Sequence, residues 1–238
     1  MLPALGTLAG DTASGRILEV TTLSCMAEMR ALGDHSGCGQ SELSPTRYRS
    51  RAFTLEVDLI IWLSGPTGAG KTTMAGLLAT VGYSVVRESA PAQLFADFVK
   101  NPQQYCSQVQ EALMRSRHSQ WRALPDQKKV VFDRSIDEDF SIFCRMHRMS
   151  DLIDDETFQM LNALCRELQL DMPVPDLILY LSADMETLAD RIKGHPEIIR
   201  AHLGMQFNLY DEWILRRPES VAKFDTSKCR VESLINAF

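Results

Sequence analysis

Leu59-Ile60-Ile61-Trp62-Leu63-Ser64-Gly65-Pro66-Thr67-Gly68-Ala69-Gly70-Lys71-Thr72-Thr73 is a short apolar run that empties into a glycine-rich turn, and Gly65 to Thr72 match G-x-x-x-x-G-K-[ST]. Holding a polyphosphate requires several backbone N–H groups aimed at one anion, and glycines at 65, 68 and 70 remove the Cβ atoms that would block that approach. A chance match in a flexible Gly-rich loop would not also carry a strand-like run before it and the helix-forming Met74-Ala75-Gly76-Leu77-Leu78-Ala79 after it. The stretch from Gly65 to Thr73 is therefore expected to bind ATP. Lys71 is expected as an exposed point charge reaching the β- and γ-phosphates, and Thr72 as a hydroxyl ligand of Mg²⁺.

Working outward, short apolar runs recur with helical stretches between them. Val57 to Leu63, Tyr83 to Arg87, Lys129 to Phe132, Leu177 to Leu181 and Val221 to Phe224 read as strands. Phe158, Leu161, Leu164 and Leu168 recur at helical spacing behind Asp154-Asp155-Glu156, and Pro173 and Pro175 close that helix. The pattern is α/β: a five-stranded parallel sheet with helices on both faces, here in the form of a P-loop kinase. Ligands of such sheets sit beyond the carboxyl ends of the strands, which draws attention to Glu88 and to Asp133-Arg134 as well as to the loop.

A chain of 238 residues is long enough for one full core. With 25 basic against 31 acidic residues and a net charge of −6, it offers no positive field for a nucleic-acid polymer, so a small ligand is expected. The six cysteines form no Cys-x-x-Cys pair, which favours reduced thiols in a cytoplasmic protein. No apolar run approaches the ~20 residues of a membrane helix, so no membrane partner is expected. Residues 1–56 are expected to be a poorly ordered N-terminal extension, with acids too frequent for an organelle-targeting segment, leaving 57–238 as the folded domain.

Phosphoryl transfer needs cationic groups around the moving phosphoryl and a base for the acceptor hydroxyl. Lys71 and Arg134 suit the first task and Glu88 the second, while Asp133, closing Val-Val-Phe-Asp, suits Mg²⁺. An alternative is that Asp133 and Arg134 only pair to hold their loop.

From Leu59 to Trp213 the chain resembles the deoxynucleoside kinases, especially their bacterial deoxyadenosine and deoxyguanosine kinase branch. The resemblance rests on the phosphate loop, Glu88, Phe98-Val99-Lys100-Asn101-Pro102 and Asp133-Arg134-Ser135-Ile136-Asp137-Glu138-Asp139. It continues through Met172-Pro173-Val174-Pro175-Asp176, Arg191-Ile192-Lys193 and Leu209-Tyr210-Asp211-Glu212-Trp213. It implies ATP-dependent phosphorylation of the 5′-hydroxyl of a nucleoside, by the branch a purine deoxynucleoside, with Glu88 as base and Asp133-Arg134 beside the metal and the transferring phosphate. It further implies Asp139 at the base, Gln110 as the base-reading amide with Arg117 as its partner, Arg191 as the lid cation, and Glu197 at the sugar. Gln108 competes with Gln110, because that alignment can slide by two residues.

The chain departs from the family where a tyrosine at the 3′-hydroxyl is replaced by Val99, where Asp137 stands in place of a common aromatic, and where the lid after Arg191 carries few arginines. Three readings therefore stand: the nucleoside kinase, a kinase for another small alcohol or a nucleoside monophosphate, and a nucleotide-binding module without useful transfer. A homodimer is left open as an assembly.

Overall fold

A computed structural model of the chain describes residues 58–217 and 221–237. The expectation for residues 1–56 lies outside these, as does the expected strand start at Val57. Among the described residues, β1 (Leu59–Ser64), β2 (Ser84–Val86), β3 (Lys129–Asp133), β4 (Leu177–Ser182) and β5 (Val221–Asp225) form one sheet of order β2-β3-β1-β4-β5, with every pairing parallel. The helices are α1 (Lys71–Thr80), α2 (Ala92–Lys100), α3 (Pro102–Ala123), α4 (Ile136–Glu138), α5 (Arg145–Met149), α6 (Asp155–Gln169), α7 (Met185–Arg191), α8 (Glu197–Ala201) and α9 (Leu203–Ile214).

The period-2 alternation of strand side chains divides the core between two faces. Ile61, Leu63, Val131, Leu179 and Leu181 pack with Met74, Leu78 and Leu188 from α1 and α7. Trp62, Val130, Phe132, Ile178 and Tyr180 point the other way, onto Trp121 of α3 and Leu209, Tyr210 and Trp213 of α9. A third cluster, with Phe98, Val109, Met114, Leu161, Leu164 and Leu168, ties α2, α3 and α6 together beside the sheet. Buried on both faces, the strands read as continuous apolar runs.

Local chemistry fixes the ends that matter for the site. Pro102 starts α3, and Asn101 before it is extended (φ −140°, ψ 79°), so α2 must stop there and the chain turns. Asp154 caps α6 by accepting from the Thr157 N–H at 2.8 Å. Ser135 caps α4, its Oγ accepting from the Glu138 N–H at 3.2 Å, and the helix then widens into a π-helical turn over Asp139–Cys144.

Candidate active site

The loop after β1 is held at backbone angles that only glycine takes without strain: at Gly65, with φ +134°, a Cβ would lie 2.0 Å from the Leu181 carbonyl oxygen. Gly70, with φ +92°, precedes α1, so the orphan N–H groups of that helix open onto the loop. Thr67, Gly68, Gly70, Lys71, Thr72 and Thr73 line one end of a cavity of about 680 Å³. Gly65, Pro66 and Ala69 do not line it; Ala69 is fully buried in the core.

Lys71 is not the exposed charge expected from the sequence. Only 6% of it is accessible, and its Nζ donates to the carbonyls of Gly65 (2.9 Å) and Pro66 (2.8 Å). Burial, then the neighbouring Arg134 charge, lowers its pKa to about 7. The compact loop turns its own carbonyls inward, and a lysine at the first turn of α1 is long enough to satisfy them.

Thr72 Oγ1 donates to Asp133 Oδ2 at 2.8 Å, while Asp133 Oδ1 is buried with no hydrogen-bond partner. Arg134 follows with φ +69°, a left-handed conformation that costs a side-chain-bearing residue ~1–3 kcal/mol and that swings the guanidinium back across the strand ends. Its Nε donates to Glu88 Oε2 at 2.7 Å, and its Nη1 donates to the Gly65 carbonyl at 3.0 Å and to the Tyr210 hydroxyl. The alternative that Asp133 and Arg134 pair with each other is absent from the hydrogen bonds, since each turns to a different partner.

Behind Arg134 lies a buried network that the sequence reading did not single out. Tyr210 donates to Glu138 Oε1 at 2.8 Å, and Ser64 donates to Glu138 Oε2 at 2.9 Å. Burial raises the Glu138 pKa against the lowering pull of Arg134. The S-x-x-E spacing of Ser135 and Glu138 was a legible capping signal for this residue. Nothing local in the sequence marks Tyr210 as its partner.

The other end of the cavity is walled by apolar side chains, among them Phe98, Val109, Leu113 and Phe143, with Gln110 and Asp139. Gln110 is 4% exposed and its Oε1 is buried without a partner. Gln108, two residues away on α3, is exposed and does not line the cavity. Asp139 reaches the wall, but Arg117 stands fully buried behind it and does not line the cavity. Arg117 donates to both Asp139 oxygens, at 2.8 and 3.2 Å, and to the backbone carbonyls of Asp133 and Arg134.

The remaining expected site residues differ in placement. Glu197 is solvent-facing, pairs with Arg200 and does not line the cavity, because the turn into α8 points it outward. Arg191 lines the cavity but is engaged, donating to the Gly68 carbonyl at 3.1 Å and to the Thr226 hydroxyl and carbonyl at 2.8 Å each. It thereby ties the phosphate loop to the end of β5. Val99 and Asp137 are also off the cavity wall; Asp137 accepts from Trp213 Nε1 at 2.6 Å and pairs with Arg217.

His147, a cavity residue that the sequence reading passed over, gives a pH-dependent signature. Burial, then the adjacent His202, lowers its pKa from 6.5 to about 3. The unfolded chain takes up this proton near 6.5 and the folded chain only near 3, so its contribution to stability is complete above pH 6.5 and is lost as the pH falls towards 3. The expected slope is up to ~1.4 kcal/mol per pH unit inside that window. Urea denaturation at pH 7, 6 and 5 should show a smaller loss for His147→Asn than for the unaltered chain; parallel losses would assign the acid sensitivity to other groups.

The family model described as deoxynucleoside kinase matches residues 61–228. A deoxyadenosine kinase of Dictyostelium discoideum is 34% identical over 158 residues, 64% of this chain and 64% of that protein. A deoxyadenosine kinase of Lactobacillus acidophilus is 30% identical over 141 residues, 56% of this chain and 65% of that one. The matched segment thus spans somewhat under two thirds of either relative's length. A deoxyadenosine kinase of M. mycoides, solved with dCTP bound, shares the fold with a TM-score of 0.63 at 19% identity, covering 75% of this chain and 97% of that one. With a family match running from inside β1 to beyond β5, around a phosphate loop that faces Glu88 and Arg134, the chain belongs to the deoxynucleoside kinase family.

Proposed function

We propose that the chain transfers the γ-phosphoryl group of ATP to the 5′-hydroxyl of a purine deoxynucleoside. The observation that carries this is one continuous cavity with the phosphate loop at one end, Glu88 and Arg134 midway, and Gln110 with Asp139 at the apolar end. A polyphosphate, a transferable phosphoryl group and a flat heterocycle would each meet suitable chemistry in that order. The relatives named deoxyadenosine kinase support the purine assignment.

In this reading Glu88 accepts the proton as the 5′-oxygen bonds to the γ-phosphorus, while the bond from that phosphorus to the β–γ bridging oxygen breaks and ADP leaves. Arg134 and Lys71 carry the positive charge that balances the transferring group, and the loop N–H groups hold the β-phosphate. A triphosphate beside Lys71 would favour its charged form, drawing Nζ from the loop carbonyls. Thr72 and Asp133 suit Mg²⁺: the hydroxyl and carboxylate adjoin, and Asp133 Oδ1 has a spare acceptor with no partner in the protein. Bound there, Mg²⁺ would neutralise phosphate charge. Among the described residues no cluster of three or more His, Cys, Asp or Glu could hold a metal, in keeping with an ion held by one carboxylate and by substrate phosphates.

Gln110 is the base-reading amide in this proposal, and Gln108 is not. The partnerless Gln110 carbonyl would accept from an exocyclic amine or ring N–H, and a base lacking that donor would leave it unpaired. We further read residues 57–238 as the kinase domain and 1–56 as an extension. No helix among the described residues is long and apolar enough to cross a membrane, and the buried thiols of Cys106, Cys144 and Cys165 suit the reducing cytoplasm.

The test is ADP release coupled to product identification, with nucleosides, nucleoside monophosphates and simple alcohols as acceptors. Preferred turnover of a purine deoxynucleoside to its 5′-monophosphate is expected. Preferred turnover of a monophosphate or alcohol would replace the reading by the corresponding kinase, and ATP binding without ADP release would make the chain a nucleotide-binding module.

A further inference from the structure

Besides the phosphate loop, the transfer centre and the Gln110–Asp139 pair, the polar side chains lining the cavity are Arg87, Arg191, Gln206 and three histidines, His147, His195 and His202. Arg87 is exposed, Arg191 is tied to Gly68 and Thr226, and Gln206 Oε1 accepts from the Thr67 N–H and hydroxyl. His195 is exposed. Both nitrogens of His202 are committed, Nδ1 to the Ile198 carbonyl at 2.7 Å and Nε2 to Ser150 Oγ at 3.0 Å. A carbonyl only accepts, so His202 Nδ1 carries the proton and Nε2 accepts from the serine.

His147 differs. It is 4% exposed, its Nδ1 is sealed with no partner, and its Nε2 makes no hydrogen bond to the described residues. A sealed orphan N–H is rarer in folded proteins than an under-used acceptor lone pair, which puts the proton of the neutral ring on Nε2. The ring is fixed edge-on against Phe98 (centroids 5.9 Å, 74°) and His202 (5.7 Å, 86°), so it cannot turn freely to find another partner. His147 Nε2 is therefore a rigid donor on the cavity wall with no protein group to satisfy it.

We propose that His147 determines acceptor specificity by donating from Nε2 to a sugar hydroxyl of the acceptor other than the one that is phosphorylated. The inference rests on the nucleoside-kinase reading and adds the group that reads the sugar, a task for which Glu197, Val99 and Asp137 lie off the cavity wall. A hydroxyl is the fitting partner because its oxygen accepts from Nε2 while its proton is free to bond elsewhere. An acceptor lacking it would fill the cavity and leave the donor without that partner.

The experiment is a cycle of protein and acceptor. kcat/KM is measured for a 2′-deoxynucleoside, its 2′,3′-dideoxy analogue and the ribonucleoside of one base, with the unaltered chain, His147→Ala and His147→Gln. The unaltered chain should prefer one hydroxyl pattern by ~10- to 100-fold, His147→Ala should reduce that preference to near unity, and His147→Gln, which keeps an N–H donor, should restore part of it. A common loss on all three acceptors, or a changed ranking among bases with the sugar preference intact, would overturn the proposal. Should the variants fold poorly, ¹⁵N-histidine spectra of the unaltered chain decide: the His147 Nε2 resonance should move with the hydroxyl-bearing nucleoside and not with the analogue lacking it, and equal shifts would overturn the proposal. If the unaltered chain forms no 5′-monophosphate from any nucleoside, it is the nucleoside-kinase reading that fails; turnover with a flat cycle removes only the role of His147.

Discussion

Glu88→Gln is expected to lower turnover by ~10²- to 10⁴-fold with little change in the acceptor KM, the range general-base groups contribute. The carboxylate follows β2, lines the cavity, and is fixed by Arg134 at 2.7 Å with Arg117 at 3.8 Å. The side chain is 44% exposed, so its desolvation, which acts to raise the pKa, is partial; Arg134, Arg117 and Lys71 outweigh it and hold the carboxyl below its ordinary 4.5. Glu88 is therefore ionised throughout the neutral range, and its own titration should leave the rate flat between pH 6 and 8. Lowered basicity is tolerable here: a loose phosphoryl transfer asks more of alignment and charge balance than of early proton removal. Glutamine keeps the shape and one acceptor oxygen but cannot take the proton. Steady-state kcat and KM with the preferred nucleoside decide, and unchanged turnover with a raised KM would make Glu88 a binding group.

What the sequence conveyed and what it withheld follow from the range of the interactions. The phosphate loop was legible because strand, glycine turn and helix are consecutive, and the five strands because each is a short apolar run between breakers. Glu88, Asp133 and Arg134 could be singled out because a parallel sheet gathers its strand ends on one edge, and all three line the cavity. Lys71 was misjudged, since a motif records residue types and not whether loop carbonyls will turn towards the amine. Glu138 and Tyr210 meet across 72 residues, a pairing set by how α9 packs on the sheet. Gln108 and Gln110 lie two apart on one helix and so face different ways, and the packing of α3 decides which faces the cavity. Glu197 sits behind Gly194 and Pro196, where no period fixes orientation.

Asp139→Ala is expected to destabilise the chain by ~3–5 kcal/mol, the cost of leaving a buried charge without its partner. Asp139 and Arg117 are 1% and 0% exposed, and the pair is bidentate. Burial raises the Asp139 pKa and Arg117 pulls it down, the balance of an ion pair in a dry setting. With the aspartate gone, Arg117 Nε loses its acceptor, and the nearest remaining carboxylate, Glu88, stands 3.8 Å from Nη2 and is already held by Arg134. For a domain of this size each kcal/mol shifts the thermal midpoint by ~2–4 °C, so the loss should be plain in melting curves as well as in urea. Replacing both partners, Arg117→Met with Asp139→Leu, should recover much of the stability, because the cost lies in the unpaired charge. A single-variant loss below ~1 kcal/mol would mean that Arg117 finds another counter-charge. The same geometry separates two roles at the apolar end of the cavity. Arg117 also holds the carbonyls of Asp133 and Arg134, so folded Asp139→Ala should lose turnover on every nucleoside by a similar factor, whereas Gln110→Ala, which frees no buried charge, should change the ranking among bases. A changed ranking with Asp139→Ala at intact stability would instead return that carboxylate to direct contact with the base.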